Sequence, residues 1–380
     1  MSSASAAGVI LLTAEYLPFP GGIATFSTRL AQEVRDAGFR AHVVAPAYPD
    51  LPASRAHPDT HRPLRHHRIP PTALLAVPRL VRSFPPGLPF MAADIRSVLL
   101  AGLTQPLHRR PYRAMIHGSE VSKLGSRNPV WSLIRRAYAG ADMIVANSNA
   151  TLAEFRAGFG EHVNTVVAHL GVDAAWFDGV SGGFEHPELR SLGPDVAVIC
   201  TVGRIESRKG QLEAVRVLAL ARDTHGLKDA VYVAAGRPEE VGYTEAVRQE
   251  AQRLGVRAVL PGAVTDGDLK RLFQRAACHL LCARQLRGKI EGFGLVILEA
   301  GAQGCPTVTT AVGGIPEALG TTGVCTAPTD LAAMAIAVAA YGLDRSRRDS
   351  HGAAARTHAR GFSWQACARH SFPELSWPQT

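Results

Sequence analysis

The residues best suited to chemistry gather in the second half of the chain. After the apolar run "VAVICTVG" comes "RIESRKG", which sets Arg204 and Lys209 five residues apart where a helix should open at Gly210. Two cations beside the unpaired amides of a helix N-terminus form a cradle for a phosphate or diphosphate. The same letters also suit a solvated loop whose lysine meets only water. Further on, "KIEGFGLVILEAGAQG" from Lys289 to Gly304 places two carboxylates, Glu291 and Glu299, around Phe293. If the segment is helical, the neighbours Leu295 to Leu298, Ala300 and Ala302 leave Glu299 no polar face. Burying an ionised carboxylate without partners costs roughly several kcal/mol, so Glu299 requires a partner that the local sequence does not supply. "EGFG" precedes this helix, so the amides of Gly294 and Leu295 would be open to an anion. Glu291 is either a charge favoured by the helix dipole or a ligand for sugar hydroxyls.

The first half is less specific. "YLPFPGGIATF" sets Gly21 and Gly22 between a strand and a helix, where backbone could approach a ligand, but the G-x-G-x-x-G spacing of dinucleotide binders is missing. His117 ends the strand "RAMIH" and would point toward the same place. "TDGDL" from Thr265 holds Asp266 and Asp268, a D-x-D that could hold a divalent cation, yet it opens an amphipathic helix and capping explains it better. No metal site is expected: the close pair Cys278 and Cys282 has no second pair or histidine set, so the six cysteines read as reduced, packed thiols.

These residues need a frame. Short β-branched runs alternate with amphipathic segments: "GVILLTA", "RAHVVAP", "YRAMIHG", "DMIVANS" and "NTVVAHLGVD" first, then "VAVICTVG", "AVYVAAG", "RAVLPGAV", "CHLLCA" and "PTVTTA". The pattern restarts after a glycine-rich passage at 178–195. It predicts an α/β protein of two doubly wound, Rossmann-like domains facing across a cleft, 1–178 and 179–361, with a closing segment 362–380. Length agrees, since 380 residues exceed what one core usually organises.

With 46% hydrophobic and 19% charged residues, the chain reads as a globular, cytoplasmic protein. Its start has no basic n-region, and "LAAMAIAVAAYGL" is too short to span a bilayer. The net charge of +9 is concentrated between Leu51 and Arg113, where ten arginines face only Asp59 and Asp94. Such a segment could meet an anionic acceptor or the inner membrane face, or be a solvated, proline-rich excursion. Nucleic acid is not expected, because aromatic residues that stack bases are nearly absent there.

Taken in order, "PGGIATF", "HGSEV", "ADMIVANS", "HLGVD", "VGRIESRKG", "PGAV…DLKRLF", "EGFGLVILEAGAQGCPTVTT" and "GGIPEAL" resemble the retaining glycosyltransferases of family four, with the GT-B fold. The resemblance covers most of the chain and is strongest in the second half. It implies a nucleotide-diphosphate sugar, UDP- or GDP-linked, as co-substrate without a further cofactor. Arg204 and Lys209 would hold the diphosphate, Glu299 the ribose hydroxyls, and Glu291 the sugar. The backbone around Phe293, Gly294 and Leu295 would close over sugar and phosphate, and that near Val264 would meet the base. Gly21 and Gly22 would approach the donor from the other domain, and His117 would line the reacting face. "FSWQACARHSF" resembles a last helix that returns to the first domain, locking the pair while leaving a hinge. Three features depart from the family: Arg237 and Pro238 stand where a glycine is common, His169 and Leu170 stand where proline and asparagine are common, and the 51–113 segment aligns with nothing. The acceptor, whether small molecule, lipid or saccharide, is not legible. Alternatives are a pseudo-glycosyltransferase or nucleotide-sugar epimerase with the same pocket, or, outside the class, a basic nucleic-acid-binding protein.

Overall fold

The run Gly8–Leu12 is buried at every position, which for a strand requires cover on both faces and hence a central place in a parallel sheet. The computed structural model describes residues 7–19, 21–48, 57–65, 69–118, 121, 128–162, 164–286 and 290–378. Two units organise the chain, 1–171 with 363–380 and 172–362.

The N-terminal unit runs β1 (Gly8–Leu12), α1 (Gly22–Asp36), β2 (Arg40–Ala47), β3 (Thr60–Arg65), α2 (Ala73–Ser83), β4 (Phe90–Ala92), α3 (Ile95–His108), β5 (Arg113–Ile116), α4 (Pro129–Ala139), β6 (Met143–Ala146), α5 (Asn149–Phe159) and β7 (Thr165–Val167). Its parallel sheet has the order β3-β2-β1-β4-β5-β6-β7. Leu12 lies opposite Val44 of β2 and Ala92 of β4, so β1 sits where the winding direction reverses. Helices α2, α3 and α4 lie side by side, and α3 meets α4 closely because a Cβ on Gly102 would stand 2.6 Å from that of Ala137.

This unit corrects the reading of the 51–113 segment as a solvated excursion. Residues 51–56 and 66–68 lie outside the described ones, but the rest supplies β3, α2, the central strand β4 and α3. Val77, Val81, Phe84, Leu88 and Phe90 are core residues. Arginines fill the outer positions between them.

The C-terminal unit runs α6 (Pro187–Arg190), β8 (Ala197–Val202), α7 (Gln211–His225), β9 (Ala230–Ala235), α8 (Tyr243–Arg253), β10 (Ala258–Gly262), α9 (Asp266–Arg275), β11 (Ala276–Leu281), α10 (Leu295–Ala302), β12 (Thr307–Thr310), α11 (Ile315–Leu319), β13 (Val324–Thr326), α12 (Leu331–Leu343) and α13 (Arg345–Arg360). Its parallel sheet has the order β10-β9-β8-β11-β12-β13, with the reversal between β8 and β11. The unit begins at 172 rather than after 178: Trp176 packs its ring 6.2 Å from Phe273, and Arg356 donates to the Phe177 carbonyl at 2.5 Å. The cysteines are free, five buried and Cys325 exposed. Among the described residues, no helix is long and apolar enough to cross a membrane.

The chain then returns to the N-terminal unit as α14 (Trp364–Ser371). Trp364 stands 6.5 Å from Phe26 of α1, and Arg113 pairs with Glu374 at 2.7 Å while lying over the Phe372 ring. A Cβ on Gly171 would come within 2.1 Å of the Trp364 amide nitrogen, so glycine allows the two ends of the unit to touch.

Candidate active site

Doubly wound sheets bind ligands beyond the carboxyl ends of their strands, at the reversal of strand order. In the C-terminal unit the chain leaves β8 through 203–210 and β11 through 282–294, the two stretches that carry the predicted cations and Glu291. The topology therefore joins residues 82 apart in sequence.

Locally, a 3-10 turn over Ser207–Lys209 folds Arg208 and Lys209 inward, and both are buried. Gly210 follows with φ of 69°, and a Cβ there would lie 1.8 Å from the Cys282 carbonyl oxygen. Only glycine lets this turn press on the end of β11 and begin α7. The stem of Lys209 runs over Gly203, and its Nζ donates to Oε2 of Glu291 at 2.9 Å. Arg208 donates to the same oxygen and, at 2.8 Å, to Glu206. Glu206 also pairs with half-exposed Arg204 at 3.2 Å, and Glu239 lies 3.6 Å from Arg204 on the other side. Burial alone would push the Glu291 carboxyl up, but the charges of Lys209 and Arg208 outweigh it and hold it at about 2. Glu291 is thus a fixed anion that orients Lys209, and it sits ahead of α10 rather than within its first turn. Its backbone is fixed too, since its carbonyl accepts from the Gly314 amide at 3.0 Å.

Gly294, with φ of 88°, begins α10 without a side-chain cap, and Gly210 begins α7 in the same way. Neither helix has the N-cap side chain that Thr265 supplies to α9, although in α7 the Leu212 amide donates to the Tyr243 hydroxyl at 3.3 Å. Phe293 is buried with its ring 5.7 Å from Phe362, so it anchors the turn from inside; Gly294 beside it is buried and Leu295 half-buried. Glu299 lies on the second turn of α10, half-buried. Its carboxylate makes no hydrogen bond or ion pair with the described residues. Burial pushes its pKa up to about 7, with Asp266 and Asp173 adding to the rise and Lys209 opposing it.

Val264 lies between β10 and α9, half-buried. In the D-x-D beside it, Asp268 is buried and accepts from the amides of Glu185 and His186 at 2.7 and 2.9 Å, so its oxygens are committed to the fold, whereas Asp266 is exposed. Arg237 and Pro238 pair with the loop after β8, the Ile205 amide donating to the Arg237 carbonyl at 2.8 Å.

The remaining predicted residues belong to the N-terminal unit. Gly21 caps α1 with an extended backbone, and a Cβ on Gly22 would meet nothing within 4 Å, so packing does not demand glycine at Gly22. His117 follows β5; its Nε2 donates to the Ala93 carbonyl at 2.8 Å, and its ring stands edge-on to Phe26. Ser119 and Glu120 of "HGSEV" lie outside the described residues, as do Pro20 and Lys289. Sequence reading overlooked Glu206 and Arg208, the buried centre of the ion-pair chain. The signal was there in alternating charge, Glu206 two residues before Arg208, with Glu291 as the third member.

Comparison with known proteins places this geometry. Residues 187–358 match the family Glycosyl transferases group 1, and residues 20–176 match Glycosyltransferase Family 4. The chain belongs to these group 1 glycosyltransferases. A similar protein is the GDP-mannose-dependent alpha-(1-6)-phosphatidylinositol monomannoside mannosyltransferase of Mycobacterium tuberculosis, 29% identical over 369 residues and 92% of each chain. Another is the D-inositol 3-phosphate glycosyltransferase of Kribbella flavida, 33% identical over 243 residues, 60% of this chain and 55% of that one. Among solved structures, Anabaena HepE in complex with UDP and glucose aligns with a TM-score of 0.76 at 21% identity, over 97% of this chain and 99% of that chain. That likeness shows the fold, which is GT-B. In this glycosyltransferase the two strand ends that meet at the β8/β11 reversal therefore form the candidate donor site.

Proposed function

We propose that the protein transfers a sugar from a nucleotide-diphosphate sugar to a hydroxyl acceptor, retaining the anomeric configuration and using no metal. Glu299 carries this reading: a half-buried carboxylate with no partner among the described residues, close enough to Lys209 to feel its charge. A ribose supplies two adjacent hydroxyl donors, which satisfy both carboxylate oxygens as ligand and remove the cost of leaving them bare. Arg204 and Lys209 then take the diphosphate, assisted by the first amides of α7 and α10. As the bond from the anomeric carbon to phosphate oxygen breaks, negative charge grows on the departing diphosphate, and fixed cations stabilise it as a metal does elsewhere. Glu291, held at about 2 by two cations, is a weak base and a weak nucleophile. The acceptor oxygen therefore bonds to the same face of the sugar, and its proton passes to the leaving phosphate.

The similar proteins support the donor class, since one depends on GDP-mannose and one holds UDP in its crystal. Their names also favour a polyol acceptor carrying phosphate, as in phosphatidylinositol monomannoside and D-inositol 3-phosphate. A thermal-shift panel of UDP- and GDP-sugars in EDTA tests the donor: a true donor at 100 times its Kd stabilises by about 2.7 kcal/mol. If no nucleotide raises Tm, the reading fails. With the donor known, the anomeric coupling constant of the product tests retention.

A further inference from the structure

The basic, apolar face of the N-terminal unit is the feature that the donor site leaves unexplained. Helices α2, α3 and α4 pack side by side against one face of the sheet through Val77, Val98 and Ile134. Their outward side is not the usual polar surface. Of eleven exposed large apolar side chains among the described residues, six belong to these three helices. Leu75 of α2 is 58% exposed, Leu103 and Leu107 of α3 are 48% and 47% exposed, and Leu133 of α4 is 48% exposed. On α3 the exposed residues Leu103, Pro106 and Leu107 are spaced i, i+3 and i+4 and so share one face of the helix.

Charge on the same helices has one sign. Residues 73–83, 95–108 and 129–139 contain no aspartate or glutamate. Arg110 and Arg135 are spent on backbone carbonyls. By contrast Arg79, Arg82 and Arg136 are exposed and have no partner among the described residues. Several exposed arginines elsewhere are paired, as Arg216 and Arg253 with Glu250, or Arg345 with Asp349. A nucleic-acid surface would carry the cations but gain nothing from exposed leucines, whereas an acidic protein would not need a run of them along one helix. Leucines that enter the acyl boundary, flanked by arginines at headgroup level, match an anionic bilayer in both respects.

We propose that α2, α3 and α4 form a docking face for the surface of an anionic phospholipid bilayer. Leu75, Leu103, Leu107 and Leu133 insert at the boundary of the acyl region, and Arg79, Arg82 and Arg136 meet lipid phosphates. The face lies within the N-terminal unit and is independent of what the C-terminal unit binds.

The test is co-sedimentation of the full chain with vesicles of phosphatidylglycerol and phosphatidylcholine, against phosphatidylcholine alone. Partitioning is expected only with the anionic vesicles and should fall steeply with salt. Replacing Arg79, Arg82 and Arg136 together by Gln should weaken it roughly 100-fold, at about fivefold for each charge. Leu103→Gln with Leu107→Gln should weaken it at every salt concentration. These side chains are exposed, so all variants should melt with the wild type, and nucleotide binding should be unchanged. A control removing three arginines from the other unit, Arg248→Gln, Arg253→Gln and Arg345→Gln, should bind vesicles normally. Equal partitioning to neutral vesicles, equal loss in the control, no binding to anionic vesicles at low salt, or displacement from them by duplex DNA would each overturn the proposal.

Discussion

Replacing Glu299 by glutamine should make the empty protein more stable and the nucleotide-bound protein less so. The ordinary glutamate value of 4.5 is raised to about 7 in the fold. An unfolded chain loses this proton near 4.5, and the folded chain keeps it until about 7. Between these values the folded state binds more protons, so rising pH lowers stability, and the full cost is present above 7. The difference corresponds to about 3 kcal/mol, and partial contact with water reduces it to roughly 2 kcal/mol. Glutamine has no charge to desolvate. At pH 8.5, Glu299→Gln should therefore melt about 4–8 °C above wild type, taking 2–4 °C per kcal/mol for a domain of this size. At pH 4.5 the two should nearly coincide. Nucleotide reverses the order: hydrogen bonds to a charged acceptor contribute about 1.5–3 kcal/mol, so the variant should bind UDP or GDP about 10- to 100-fold more weakly at pH 8.5. Wild-type binding should release a proton and weaken as pH falls below 7. Calorimetric melts with and without nucleotide at both pH values decide the matter. A variant that melts at or below wild type at pH 8.5, or binds nucleotide equally well, refutes the assignment of Glu299 as an unpartnered ligand group.

Other perturbations address the rest of the site. Lys209→Ala should lower kcat by about 10²–10³ with the fold intact, since it removes a fixed cation from the leaving group; near-normal turnover would dismiss the diphosphate role. Arg208→Met should destabilise by about 3 kcal/mol in urea melts, because Glu206 and Glu291 lose their shared buried partner, and it should weaken donor binding as Lys209 is drawn more tightly to Glu291. Activity should persist in EDTA; a strict need for magnesium or manganese would return Asp266 and Asp268 to the site. Trp364→Ala, at a side chain 3% exposed, should cost about 3–5 kcal/mol in the melting of the N-terminal unit.

Much of this was legible in the letters. Fully buried parallel strands need unbroken apolar runs, so β1, β2, β8, β9 and β11 declare themselves, and an apolar helix holding one carboxylate points to Glu299 without coordinates. The strands β3 and β4 did not show. β3 reads Thr-His-Arg-Pro-Leu-Arg, and β4 is three residues long, after a proline pair and a glycine. Both are strands because neighbours pair with them, which is a tertiary cause that local composition hides. The same holds for Arg208. In a row of charges it looks solvated, and only the turn at Ser207–Lys209 and the distant Glu291 put it inside.

The return of α14 to α1 also bears on how the molecule is made. A ribosome delivers the seven strands of the N-terminal unit first, but Phe26 and its neighbours on α1 then wait for Trp364 through the synthesis of all of 172–362. The C-terminal unit, continuous in sequence, can complete itself as soon as it emerges. The unit begun first is thus finished last, and during that interval its uncovered apolar face is the part of the nascent chain most in need of a chaperone.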